Sequence, residues 1–361
     1  MITNQMIQQL PKVELHTHLD GGLRLSTIIE LAHKENIALP SQDETSLKKW
    51  FDRAREQKSL PLYLEAFDLT VSLLQTKEAL KRVAFELMED LLKDSVVYAE
   101  IRFAPILHTH KGLEMSEVIE AVLSGLEEGK RRTLVEFGLI LCAMRNQSSE
   151  LSLEVAKLTV AYRTKGVVGF DLAGDEAGHP PKDHLQAFQY IRNQNCNITV
   201  HAGEGFGLES IWQAIQVAGA HRIGHGTRLK EDMVTQGLMI EKMGTLSHYI
   251  RDKRIPIEMC LTSNIDTGAT ESYETHPFAL LYKHSFRVFL CTDNRLMSDT
   301  SLTHEMSLAV KHYGFTLRDL EKITVNAMKS AFIHYDRRLR IIFDVIKRGY
   351  SDRRSEWGLS D

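Results

Sequence analysis

The sequence predicts an α/β chain folded as a (β/α)8 barrel of the TIM type, with extra helices inserted after the first strand–helix unit. Three observations carry this expectation. Short apolar runs of strand length alternate with helix-period runs along the chain, and eight such strand runs can be counted. Eight strands, each followed by a helix, are what such a barrel requires. The glycine-rich fingerprint of a doubly wound dinucleotide-binding sheet is absent after the first strand. At 361 residues, 43% of them hydrophobic, the chain can bury one such domain spanning 1–361.

The first strand covers 13–19, where Val13 and Leu15 alternate with charged residues. Ser26 is placed to cap a helix through Ile28, Leu31 and Ala32. Residues 41–76 break the rhythm. Pro40 and Pro61 bracket a charged, helix-prone insertion with Trp50, Phe51, Tyr63 and Phe67, which reads as extra helices over one end of the domain. Leu80, Val83, Ala84, Leu87, Met88 and Leu91 form an apolar helix stripe, followed by a second strand at 96–104. Val118, Ile119, Val122, Leu123 and Leu126 mark the next helix, and a third strand covers 134–142. A helix at 151–162, a strand at 167–172, a Gly- and Pro-containing loop and a helix to about residue 193 follow. The fifth strand is 198–201, with a helix at 208–218; the short sixth strand is 222–225, with a helix to about residue 243. Strands at 255–261 and 288–292 complete the eight. Two or three helices end the chain, and within its C-terminal part, 335–361, the basic stretch 337–354 reads as a solvated helix end.

A net charge of -4 points away from nucleic acid and from anionic membrane surfaces. Residues 1–9 carry no long apolar run, so no signal peptide is expected, and no apolar run of about 18 residues suggests a membrane span. Cys142, Cys196, Cys260 and Cys291 are widely spaced, as reduced thiols of a cytoplasmic protein would be. A small molecule is the expected partner.

In such barrels catalytic groups sit at the C-terminal ends of the strands. Strand one ends with His16 and His18, two apart and therefore on one face, which supplies half of a tetrahedral nitrogen-ligand metal site. Strand five ends in His201-Ala-Gly-Glu204, strand six in Gly224-His225-Gly226 and strand eight in Thr292-Asp293-Asn294. Polar groups are expensive at buried strand ends, so their recurrence at four of them points to a metal centre.

These stretches, with PKVELHTHLDG at 11–21, DLAGDE at 171–176, HAGE at 201–204, GHG at 224–226, TSN at 262–264 and TDN at 292–294, resemble the adenosine deaminases of the metal-dependent amidohydrolase superfamily. The HxE and PCxxC pattern of the cytidine-type zinc deaminases is missing. The resemblance implies one zinc ion per chain held by His16, His18, His201 and Asp293, and hydrolytic deamination of adenosine and 2'-deoxyadenosine with release of ammonia. It implies catalytic roles for Glu204, as the proton donor to purine N1, for His225, orienting and stabilising the nucleophile, and for Asp293. It implies that His18, Asp20, Gly174 and Asn294 bind substrate: Asp20 at a ribose hydroxyl, the Gly174 backbone at N3 and Asn294 at N7. Asp171 would orient its neighbours, and Leu19, Leu60, Leu64, Phe67 and Phe103 either wall the pocket or belong to the ordinary core.

One position departs from the better-known pattern, in which a second Asp follows the ligand Asp. Here it is Asn294, as in a bacterial branch with TDN. Its amide donates to the acceptor N7 at any pH, whereas an Asp must first be protonated. His108-Thr-His110 repeats the HxH pattern, but on a loop with no further ligand pattern after it, so a second metal site is not expected. The rival readings are deamination of free adenine, which relatives with Glu after HxHL perform, and a non-catalytic nucleoside-binding relative, which would lack Glu204 or a ligand.

Overall fold

A computed structural model describes residues 2–57 and 60–358. The strands, in chain order, are β1 (Lys12–His18), β2 (Val96–Phe103), β3 (Glu136–Met144), β4 (Val167–Ala173), β5 (Asn197–Ala202), β6 (Arg222–His225), β7 (Met233–Gln236), β8 (Met239–Met243), β9 (Ile257–Met259) and β10 (Val288–Leu290). Eight of them form one parallel sheet in the order β1-β2-β3-β4-β5-β6-β9-β10. The sheet returns on itself just beyond β10. Thr17 pairs with Asp293, His18 N donates to Asp293 O (2.8 Å), and Asp293 N donates to His16 O (2.7 Å). The expected barrel is therefore present, and its closure brings the last strand end against the first.

The alternation along β1 has a different meaning from that of a surface strand. Val13 and Leu15 belong to the apolar core between barrel and helices, while Glu14 and His16 point to the barrel axis and are equally buried. The interior of the barrel is correspondingly charged. Glu14, Glu100, Arg102, Asp171, Arg222 and Glu258 all have 0% exposure. Branched apolar side chains usually fill this space, so each of these charges needs a partner.

The insertion forms the helices Glu44–Gln57 and Leu60–Leu73. Lys48 Nζ lies 2.6 Å from Asp299 Oδ2, and Arg55 Nη1 donates to Ser298 O (3.3 Å). Residues 298 and 299 follow β10, so the insertion lies at the C-terminal mouth of the barrel, where the strand-end histidines are.

Three expectations need correction. Residues 227–243 are not a helix. A 3-10 turn, Thr227–Asp232, leads into the antiparallel hairpin of β7 and β8, and the helix Thr245–Asp252 comes only afterwards. Gly237 supplies a positive φ (57°) in the two-residue loop, turn chemistry that outweighs the helical spacing of the apolar residues. Ser26 is not a cap. The helix Leu25–Glu35 begins one residue earlier, with Arg24 at the N-cap position making no side-chain cap, its guanidinium held by Asp90 and Glu89 instead. The basic C-terminal stretch is helical but not simply solvated. Ile342, Ile346 and Tyr350, each four residues apart across the π-helical turn Ile341–Lys347, bury one face, and the Tyr350 hydroxyl lies 3.0 Å from Thr324 Oγ1.

Candidate active site

His16 and His18 stand on one face of β1, His201 near the end of β5, and Asp293 just past β10. Their ligand atoms lie within 4.8 Å of one another. The Nε2 atoms of His16 and His18 are 3.1 and 3.2 Å from His201 Nε2, and 3.4 and 3.3 Å from Asp293 Oδ1. Donors about 2.0–2.1 Å from a shared tetrahedral ion would be separated by about 3.3 Å. Burial pushes both His18 and His201 down to about 4, keeping the rings neutral with their lone pairs available.

The opposite ring nitrogens explain why these Nε2 atoms converge. His16 Nδ1 lies 2.8 Å from Glu258 Oε2, and His201 Nδ1 lies 3.0 Å from Asp171 Oδ2. A carboxylate can only accept, so each Nδ1 carries the hydrogen and each Nε2 is left with its lone pair available. The carboxylates are held in turn by Arg102, whose Nη1 is 2.9 Å from Asp171 Oδ2 and whose Nη2 is 2.8 Å from Glu258 Oε2. Arg222 Nε (2.6 Å) and Thr199 Oγ1 (2.9 Å) complete the donors to Glu258. Burial alone would raise the Glu258 pKa, but the two guanidiniums and His16 overcome it and hold it well below the usual carboxylate range.

A second group adjoins the first. Glu204, His225 and Asp293 offer ligand-type atoms within 4.8 Å of one another. The Glu204 side chain is 22% exposed; its Oε1 accepts from Thr267 Oγ1 (3.0 Å), and its Oε2 is 3.4 Å from His225 Nε2. Burial pushes its carboxyl upward, toward the protonated acid. Asp293 Oδ2 accepts from Ser263 Oγ (2.6 Å), leaving Oδ1 turned to the histidines. Glu176 Oε2 and Oε1 accept from the backbone N–H groups of Gly203 and Glu204 (3.0 and 2.9 Å), which fixes the loop carrying Glu204.

A family model described as adenosine deaminase matches residues 11–348. The chain belongs to the adenosine deaminase family. Adenosine deaminase 1 of Streptomyces coelicolor is 51% identical over 357 residues, covering 97% of this chain and 90% of that protein. The adenosine deaminase of Mycobacterium leprae is 51% identical over 348 residues, covering 94% and 95%. Among solved structures, an N6-mAMP deaminase of Arabidopsis is 31% identical with a TM-score of 0.81, covering 94% of this chain and 99% of that one. An adenine deaminase of Arthrobacter aurescens shares the fold, with a TM-score of 0.84 at 23% identity over 97% and 100% of the two chains.

Two residues beyond His18, Asp20 is buried. Burial would raise its pKa, but the hydrogen bond and charge of His108 prevail and lower it. Its Oδ2 is 3.5 Å from His108 Nε2, while its Oδ1 has no hydrogen-bond partner among the described residues. His108 ends a 3-10 turn, Pro105–His108, with Nδ1 against Leu74 O (3.0 Å). Among the described residues, neither His108 nor His110 joins a metal-type cluster. Gly174 follows directly on β4 at φ 97°, a conformation that L side chains rarely adopt. Asn294 lies against Gly21, where an added Cβ would come within 2.0 Å of Asn294 Oδ1. Leu19 and Phe103 are fully buried core, and Phe67 is partly buried against it. Leu60 and Leu64 lie outside the residues whose side chains are described.

The sequence motifs contained residues whose work was not assigned from them: Glu176 in DLAGDE, and Ser263 and Asn264 in TSN. Arg102, Glu258, Thr267 and His276 had no motif to mark them. A cavity of about 860 Å³ lies at the opposite end of the barrel, lined by His221, Pro256 and Arg287 just before β6, β9 and β10. That is the end associated with stability in this fold.

Asp171→Asn removes the charge behind His201 Nδ1 and one partner of Arg102. Metal affinity should fall roughly 10–100-fold in chelator competition, and the melting temperature should fall with it. Unchanged affinity would mean that Asp171 does not prepare His201 as a ligand.

Proposed function

We propose that the chain is a zinc-dependent deaminase that hydrolyses adenosine and 2'-deoxyadenosine to inosine and 2'-deoxyinosine with release of ammonia. The observation that carries this reading is the convergence of three neutral imidazole Nε2 atoms and one carboxylate oxygen at ligand spacing, with Glu204 and His225 beside the same carboxylate. Family membership, and the name shared by relatives at 51% identity, support adenosine as the substrate.

His16, His18, His201 and Asp293 would hold the ion. When bound, zinc lowers the pKa of a water toward about 7, making it a nucleophile for C6 of the purine. A structural site would be closed and usually rich in cysteine, and the cysteines contribute nothing to this cluster. Glu204 protonates N1 as the ring is attacked, so that negative charge does not accumulate on nitrogen. His225 orients the attacking water and stabilises charge on it. Asp293 accepts a hydrogen bond from that water.

Asp20 Oδ1, a buried acceptor without a partner among the described residues, accepts from a ribose hydroxyl. Gly174 lets the backbone approach N3, and the Asn294 amide donates to N7. This arrangement favours a nucleoside over free adenine, which has no sugar hydroxyl to satisfy Asp20. It also disfavours a 5'-phosphate, which the carboxylate would repel.

The deciding experiment incubates metal-analysed protein with adenosine, adenine and AMP and follows the ultraviolet spectrum. We expect about one zinc per chain and loss of adenosine absorbance, with adenosine turned over best. Absence of any spectral change at full zinc occupancy would instead support the non-catalytic binding relative.

Glu204→Gln should retain zinc and KM while kcat falls roughly 10²–10⁴-fold. Near-normal turnover would assign N1 protonation to another group.

An adenosine analogue with carbon at position 7 offers Asn294 no acceptor, which costs roughly 1–3 kcal/mol, or about 5- to 150-fold in kcat/KM. In Asn294→Ala the analogue should carry little further penalty. An equal penalty in variant and parent would remove Asn294 from N7.

A further inference from the structure

Behind His225, on the side away from Glu204, a line of buried polar groups ends at a backbone amide. The N–H of Phe278, the first residue of the helix Phe278–Lys283, donates to His276 Nδ1 at 3.1 Å. His276 Nε2 lies 3.2 Å from Asn264 Oδ1, and Asn264 Nδ2 lies 2.9 Å from His225 Nδ1. His276, Asn264 and His225 are 3%, 0% and 0% exposed, so water does not compete for these contacts. His225 Nε2 then faces Glu204 Oε2 at 3.4 Å and has no hydrogen-bond partner among the described residues.

The direction of every hydrogen in this line follows from its first member. A backbone N–H can only donate, so His276 Nδ1 must accept and the His276 proton must sit on Nε2. That proton needs an acceptor, which must be the oxygen of the Asn264 amide. The NH₂ of Asn264 is thereby turned to His225, whose Nδ1 must accept, leaving the His225 proton on Nε2. The reversed amide would set two donors against each other at His276, where the tautomer is already fixed by Phe278. Burial pushes His276 down to about 3, so the ring stays neutral and the line keeps its polarity.

We infer that His276 and Asn264 are positioning residues that lock His225 as its Nε2–H tautomer. His225 thus meets the attacking water as a hydrogen-bond donor and not as a base. The inference rests on the deaminase reading for the part played by His225, but the tautomer itself does not. A second proton on His225 would have to enter at Nδ1, against the Asn264 NH₂.

The test uses zinc-loaded protein labelled with ¹⁵N-histidine, with the His225 signals identified by their loss in His225→Gln. The parent should show His225 protonated at Nε2 and bare at Nδ1; the opposite pattern would overturn the inference without reference to activity. Asn264→Asp, nearly the same shape but acceptor-only, should bring a proton to Nδ1 and lower kcat roughly 10²–10⁴-fold with KM little changed. His276→Ala, which frees the Asn264 amide to turn, should fall between the two. His276→Gln, whose amide can still donate to Asn264 Oδ1, should recover most of the activity that His276→Ala loses. Parent-like kcat in Asn264→Asp, or no difference between the Gln and Ala variants at 276, would reduce the line to a packing feature. A parent protein that leaves adenosine unchanged but shows the Nε2–H pattern would refute the deaminase reading while leaving the tautomer lock in place.

Discussion

Two buried carboxylates and one arginine beneath the histidines set the terms for everything above them. Arg102 reaches Asp171 with one guanidinium nitrogen and Glu258 with another, and each carboxylate holds the Nδ1 of a different histidine. The arrangement links β2, β4, β9, β1 and β5 across the barrel axis. Removing one member of a buried ion pair costs about 3–5 kcal/mol, because the remaining charge has no water to turn to. A barrel interior filled with aliphatic side chains would be easier to fold, but it would leave His16 and His201 free to rotate and to place their protons on either nitrogen. The polar interior thus serves the geometry at the mouth, and the expectation of an apolar filling fails here for that reason.

The same logic operates in the backbone. His225 and Asp293 both have positive φ, 63° and 60°, which costs a residue with a side chain about 1–3 kcal/mol. Asp293 is held there by its exchange of hydrogen bonds with His16 and His18, so barrel closure and carboxylate placement are one structural event. His225 is flanked by Gly224 and Gly226, and Gly226 N donates to Ala202 O at 3.0 Å. At these two positions the strain falls where the side chains leave the sheet and turn toward a common point, and pairing with neighbouring strands holds it in place.

Much of this was legible in the residue order. The strands were readable because each is a short apolar run bounded by turn residues, and His16 and His18 could be placed together because the period of a strand is two. Other parts were hidden for identifiable reasons. In 227–243 the apolar residues have helical spacing, yet Gly237 permits the tight loop that a hairpin needs. Ser26 looks like a cap, but Arg24 finds Asp90 and Glu89 on a helix far away in the chain, and the helix starts before the serine. Ile342, Ile346 and Tyr350 lie among so many basic residues that their shared face shows only once it packs.

The sequence by itself determined the strand–helix alternation, the positions of the strand-end histidines and carboxylates, and their likeness to one enzyme family. It did so because strand periodicity and short motifs are local properties, carried by neighbours in the chain. Only the tertiary structure decided which distant residues stand behind those groups. Glu258 meets His16 across 242 positions, and Asp171 meets His201 across 30. Asn264 meets His225 across 39 positions. Proton placement on a ring nitrogen depends on whether its partner can donate or only accept. That partner is supplied by barrel closure and packing, which bring together residues that no local pattern connects.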